Sequence, residues 1–258
     1  MGGISRKSVL TFLYINGFLI SLSFLMSLSI FEGSYLSFLF RNYLLIFFIN
    51  YGTRNKKRIV LTKVKQNFFS DNIHVFSSTL VEYLSYLVKF KVRQECPWIH
   101  FIPALFQFEL ILDFFHYLSH RLLHHPLLYK WIHKQHHYHT NPTCINTFYH
   151  NPMDLFLTIE VPMLISFYFN FYSFTSFQKN IVLVYKTFIE ISGHSGKQVY
   201  PNSSFPLCIW LPKFLGIQLY TEDHSLHHSE TNCNYSKRFS IWDRLFGTYK
   251  GTDKGNLT

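Results

Sequence analysis

The sequence predicts an all-α, polytopic membrane bundle of four to six transmembrane helices, with histidine clusters forming a cap on its cytosolic side. Three observations carry that reading. Aromatic residues make up 19% of the chain and charged residues only 15%, an unusual balance for a water-soluble domain. Uncharged runs of spanning length recur, beginning with Val9 to Phe31. Fifteen histidines fall in spaced groups beside those runs. The mean hydropathy of +0.08 is modest, because Asn, Lys, Ser and His dilute it, so the argument rests on local runs.

Val9 to Phe31 follows Arg6 and Lys7 and is long enough, as a helix, to cross a hydrocarbon core of about 30 Å. It is too long for the apolar region of a signal peptide and lacks a small-residue cleavage site. Gly33 to Tyr51 is a second apolar run, interrupted by Arg41, and the two read as a hairpin. Next come Arg54, Lys56, Lys57, Arg58, Lys63 and Lys65, without an acidic neighbour, in the pattern of a cytosolic loop. The net charge of +10 is therefore membrane-related. A nucleic-acid partner would need those cations on a folded polar domain, and none is visible.

Ile73 to Val88 and Trp98 to Leu112 read as a second hairpin turning near Cys96-Pro97, carrying Glu82, His100 and Glu109. Lys89, Lys91 and Arg93 then fall on the non-cytosolic side, against the charge rule. Leu155 to Phe177 and Ile181 to Ile191 form a last pair, interrupted by Glu160, Pro162, Lys186 and Glu190. An ionisable residue inside a spanning helix is costly and faces a cavity or the bundle interior. Glu160 and Glu190 thus either line the active site or are packed polar residues. With three hairpins, the basic loop, the segment Ser119–Asn151 and the tail after Ser192 face one side, and every histidine cluster falls in or beside them. Four scattered cysteines without a CxxC spacing read as free thiols.

His116 and His120 are four apart in DFFHYLSHR; His133, His136 and His137 form HxxHH; His224, His227 and His228 form a second HxxHH; His194 stands alone in ISGHSG. Residues three and four apart share a helix face, so each motif aims two or three imidazoles at one point. Adjacent residues such as His136 and His137 diverge and serve two different ions. Imidazole suits iron, copper and zinc, and eight or nine converging imidazoles are too many for one ion, so two metals are expected. His124 and His125, before Pro126, end the first motif's helix, capping it or supporting the ligands. His139 and His150 are cavity candidates, while His74 and His100 read as structural.

These motifs, with EDHSLHHSETNCNYSKRFSIWDRLFGTY, resemble the fatty acid hydroxylase and sterol desaturase superfamily over roughly residues 98 to 250. The resemblance implies a catalytic unit over 93–258, preceded by helices and a basic loop over 1–92. It implies two iron ions held by His116, His120, His133, His136, His137, His194, His224, His227 and His228, with zinc displacing iron on overexpression. Asp113, His125, Glu190, Asn234 and Asp243 are the candidates for orienting those ligands. Some members carry a histidine where this chain has Glu190, which leaves open whether that carboxylate ligates a metal or the site has one ligand fewer. TFYHNPMD resembles the sterol C-5 desaturase pattern only loosely, because Asn151 intervenes. GHSG and NCN are closer to cholesterol 25-hydroxylase-like and sterol C-4 methyl oxidase-like members.

The resemblance implies a lipid substrate, sterol-like first and fatty-acyl or sphingolipid second, hydroxylated or desaturated with dioxygen. Electrons would come from NAD(P)H through cytochrome b5 and its reductase, in an endoplasmic-reticulum-type membrane, with no cytochrome domain fused within these residues. The chemistry agrees: an alkyl C–H bond offers no acidic proton or leaving group, so a metal cofactor must carry the reaction. Three rivals are weaker. Haem carriers use isolated histidines on separate helices, a metal transporter would place Asp and His within the spans, and a zinc hydrolase would show HExxH.

Overall fold

The computed structural model describes residues 6–60, 67–91, 93–198 and 205–251, so Lys63 and Lys65 of the basic loop lie outside the described residues. Six long helices organise them: α1 (Arg6–Met26), α2 (Tyr35–Gly52), α3 (Phe68–Tyr86), α4 (Phe101–Leu123), α5 (Pro152–Phe169) and α6 (Ser176–Gly193). At 1.5 Å per residue they measure about 27 to 35 Å, close to the thickness of a hydrocarbon core. No strand forms among the described residues, only isolated bridges.

Consecutive helices run in opposite directions, and hydrogen bonds tie the loops together at each end. At one end the α3–α4 loop meets the α5–α6 turn, where Cys96 N–H donates to Ser173 O (2.9 Å) and Ser173 N–H to Gln94 O (3.0 Å). At the other end the basic loop meets the chain after α6, where Ile59 N–H donates to Gly196 O and Gln198 N–H to Lys57 O, both at 3.0 Å. Gly196 is required there. Its φ is +65°, and a Cβ would lie 2.4 Å from Pro142 O. The basic loop and the histidine segments therefore share one end of the bundle.

Among the described residues, three stretches are long and apolar enough to cross a membrane: Ser8–Met26, Trp98–Leu123 and Pro152–Phe169. Helices α2, α3 and α6 are of similar length but are not among them, so three candidate spans stand where four to six are expected. The interrupting charges turn inward. Arg41 is buried and pairs with Glu82 of α3, while Asn42 donates to Thr79 at 2.9 Å. Lys186 of α6 is buried among Glu82 (3.3 Å), Glu160 (3.6 Å) and Glu190 (4.0 Å). The outer faces stay apolar, with Leu13, Leu36, Phe47 and Leu122 exposed. Between the helices, Leu19, Leu45, Leu105, Phe108, Val182 and Phe188 form the core.

Candidate metal centre

Four segments bring the histidines together. His116 and His120 lie on the inner face of α4, and His124 at its C-cap continues the same stripe. Past Pro126 the chain does not hold a regular α-helix. A π turn at Tyr129–His133, closed by Lys134 N–H to Tyr129 O (2.8 Å), leads to a 3-10 turn at His136–Tyr138. The first HxxHH thus converges through tightened and widened turns, not through the helical spacing expected of it. The second does lie on a helix, α7 (Thr221–Glu230). His194 is the C-cap of α6.

Two groups result. His120, His124, His133, His137 and His227 form one; His136, His194, His224 and His228 form the other; within each, the ligand atoms lie within 4.8 Å of one another. Neighbours in sequence part company, His136 from His137 and His227 from His228. The groups adjoin, with the His137 and His228 rings 4.8 Å apart. In the first group His133 Nε2 stands 3.0 Å from His120 Nε2 and 3.1 Å from His137 Nε2. In the second, His194 Nε2 is 3.0 Å from His224 Nε2 and 3.4 Å from His136 Nε2. Ligand atoms about 2.1 Å from one ion sit roughly 3.4 Å apart in a tetrahedron and roughly 3.0 Å apart in an octahedron. The spacing fits one cation per group.

The protonation pattern fits too. Nδ1 of His120 donates to Tyr235 O (2.7 Å), that of His194 to Glu190 O (2.8 Å) and that of His227 to Cys233 O (2.7 Å). Nδ1 of His133 donates to both oxygens of Asp154 (2.9 and 3.0 Å). Each bond fixes the tautomer that leaves Nε2 as a bare lone pair. Bare lone pairs 3 Å apart repel unless a cation stands between them, and His124 and His227 Nε2 have no hydrogen-bond partner among the described residues. Burial, then the neighbouring imidazoles, pushes His124 down to about 3 and His137 to about 2. The same burial holds His136, His194, His224, His227 and His228 well below the ordinary histidine range, so they are neutral imidazoles.

Eight of the nine histidines expected as ligands fall in these groups. The ninth, His116, does not. Its Nδ1 donates to Thr158 O (2.6 Å), and its buried Nε2 has no hydrogen-bond partner and faces the adjoining cavity. His124 takes its place in the first group. The stripe His116–His120–His124 has equal four-residue steps, so spacing alone allowed either pair, and only depth along α4 separates them.

The supporting candidates act differently from one another. Asp113 accepts the backbone N–H groups of Lys237, Arg238 and Phe239 (2.8 to 2.9 Å), anchoring the C-terminal loop to α4. Asp243 accepts from Tyr235 and Ser236 N–H (2.8 and 2.9 Å), so it positions the carbonyl that holds His120 without touching the ring. Asn234, at φ +54°, donates to Asp223 O and Lys250 O. His125 is exposed and caps the next turn by accepting from Leu127 N–H. The Glu190 carboxylate is taken by Arg238 Nη2 (3.2 Å) and Lys186; its backbone carbonyl is what serves His194.

Two contributors have no sequence signal of their own. Asp154 is fully buried and also reaches His150 Nδ1 (3.3 Å), whose ring stacks on His136 at 4.2 Å. Lys237 places Nζ 3.3 Å from His224 Nε2 and 3.4 Å from His194 Nδ1, and burial brings its pKa down to about 7. His139 packs on Tyr149, as does His74, and His100 sits at the opposite end with Tyr172. A cavity beside both groups is lined by His116, Thr158, Glu160 and Leu155 from α4 and α5, with Glu82 and Lys186 opposite.

A family model described as fatty acid hydroxylase matches residues 105–248, more than half of the chain. The chain is similar to fatty acid hydroxylase vlmA of Lecanicillium sp, 34% identical over 163 residues, covering 58% of this chain and 43% of that one. It is similar to methylsterol monooxygenase 1 of Gallus gallus, 32% identical over 161 residues (60% and 49%). It is also similar to lathosterol oxidase of Rattus norvegicus, 32% identical over 153 residues (59% and 47%). The matched segment spans about half the length of these relatives. No solved structure matches the chain.

Proposed function

The chain belongs to the fatty acid hydroxylase and sterol desaturase superfamily, and from that membership we propose that it is a membrane-bound di-iron oxidoreductase acting on a sterol-like lipid. The observation that carries the reading is the pair of adjoining, buried, neutral imidazole groups, each spaced for one cation. His120, His124, His133, His137 and His227 hold the first iron; His136, His194, His224 and His228 hold the second. With dioxygen and electrons, the two irons supply an oxidant able to break an unactivated C–H bond. The protein's part is to fix the rings through Asp154 and the carbonyls of Tyr235, Cys233 and Glu190, to exclude water, and to admit the lipid between apolar helices.

Hydroxylation is favoured over desaturation, and sterol over fatty-acyl substrate. Methylsterol monooxygenase and lathosterol oxidase among the relatives support the sterol reading, and the Lecanicillium fatty acid hydroxylase stands for the acyl alternative. We place the histidine end in the cytosol of an endoplasmic-reticulum-type membrane, with all six long helices embedded, because the basic loop shares that end. Cytochrome b5 and its reductase would deliver electrons from NAD(P)H there. Replacing His136 or His227 by Ala should abolish lipid turnover and lower iron content, whereas His74→Ala should do neither. Full activity in the His227 variant, or one iron per wild-type chain, would contradict the assignment.

A further inference from the structure

The charges buried around the cavity are unevenly supplied. Arg41 is committed to Glu82 and Asn42, and Arg238 to Glu109 (2.9 Å) and Glu190 (3.2 Å). Lys237 stands over His194 and His224. Lys186 alone is left for Glu160, at 3.6 Å, and it lies closer to Glu82. Glu160 is 1% exposed and lines the cavity; among the described residues only the Ser85 hydroxyl and Lys186 stand near its carboxylate, and neither closes an ordinary hydrogen bond to it. A buried carboxylate in that state is costly unless something donates to it.

Its position comes from a local distortion. Phe156–Glu160 is a π turn inside α5, a feature that re-aims side chains and recurs at functional sites. The same turn presents the Thr158 carbonyl to His116. One irregularity therefore holds an imidazole beside the histidine groups and places an under-donated carboxylate on the wall of the same cavity.

We propose that Glu160 accepts a hydrogen bond from a hydroxyl on the lipid substrate, so that the hydroxyl-bearing end enters first and oxidation falls near that end. The proposal rests on the oxygenase reading above. The walls suit such a ligand: Ser78, Thr147 and Thr187 on the polar side, Phe148, Leu155 and Ile159 against hydrocarbon. A free fatty-acid carboxylate would have to compete for Lys186 with the three glutamates already around it, Glu82, Glu160 and Glu190. A plain alkyl end would offer no donor.

The test is equilibrium binding to the full metal-loaded chain in nanodiscs, without reductant. The probes are a 3-hydroxysterol against its 3-methyl ether, and a ceramide against its 1-methyl ether. Wild type should prefer the hydroxyl member of one pair by roughly ten- to a hundredfold, and which pair responds separates a sterol from a sphingoid source. Glu160→Leu should erase the preference, and Glu160→Gln, which keeps an acceptor oxygen, should retain part of it, with metal content checking that each variant folds. Equal binding within both pairs by wild type, no binding of either alcohol, or a preference that survives in both folded variants overturns the proposal. The wild-type comparison decides alone if the variants misfold. A hydroxyl preference without oxidation by the reduced iron form would sink only the oxygenase reading; oxidation without the preference would sink only the role of Glu160.

Discussion

Asp154 offers the sharpest perturbation of the metal centre, because it touches one group directly and the other only through a stacked ring. Both its oxygens lie on His133 Nδ1, at 2.9 and 3.0 Å, and the carboxylate is fully buried. Its remaining contact is His150, which stacks on His136 of the second group. Removing a carboxylate that orients a ligand imidazole costs about 10- to 100-fold in metal affinity, or roughly 1.4 to 2.7 kcal/mol. Asp154→Ala should fall in the upper half of that range, since among the described residues no other acceptor serves His133 Nδ1. Asp154→Asn keeps one acceptor oxygen and should fall in the lower half. Titrating the purified metal-loaded chain with a chelator, and counting ions by mass spectrometry, should give two-step release in the Ala variant. One ion should be weakened and the other nearly unchanged. Release of both ions at wild-type affinity, or equal weakening of both, would refute the assignment of His133 and Asp154 to one site.

Other expectations follow from neighbouring contacts. His124→Ala should remove about one metal ion per chain while His116→Ala retains both, measured by elemental analysis; the reverse would restore His116 as the ligand. Glu82→Ala, which strands Arg41 in the bundle, should destabilise the chain by about 3 to 5 kcal/mol. A joint Arg41→Met and Glu82→Leu replacement should recover most of that in thermal unfolding. Burial holds His124, His136, His137, His194, His224, His227 and His228 below the unfolded value of about 6.5, so below that pH the unfolded chain binds more protons than the folded one. Metal-free protein should keep its stability above pH 6.5 and lose it on acidification, by up to ~1.4 kcal/mol per pH unit for each such histidine. A melting temperature flat from pH 7.5 to 5.5 would contradict neutral imidazoles.

Helix placement was legible because apolar runs and charge punctuation are local signals: Val9 to Phe31 and Gly33 to Tyr51 fall close to α1 and α2. The alternation that gathers the histidines at one end followed from the hairpins. What spacing could not give was depth along a helix, and hence the choice between His116 and His124. Nor could it show pairs distant in sequence. Arg41 looks like a break in a span until Glu82 arrives from α3, and the role of Glu190 stays open in the sequence until Arg238 is seen on its carboxylate. The π turns at Tyr129–His133 and Phe156–Glu160 depend on tertiary packing, so helical periodicity misplaces the side chains that follow them.

Two irons in the histidine groups should oxidise a lipid only in the presence of dioxygen. This is tested most directly by supplying the iron-loaded chain with NADH, cytochrome b5, its reductase, labelled dioxygen and a panel of sterols, ceramides and fatty-acyl lipids, followed by mass spectrometry. One lipid should gain a single labelled oxygen atom, or lose two hydrogens only when dioxygen is present, and the zinc-loaded chain should do neither. Equal conversion by the zinc form, or an unchanged panel with two irons bound and reduced, would contradict this expectation.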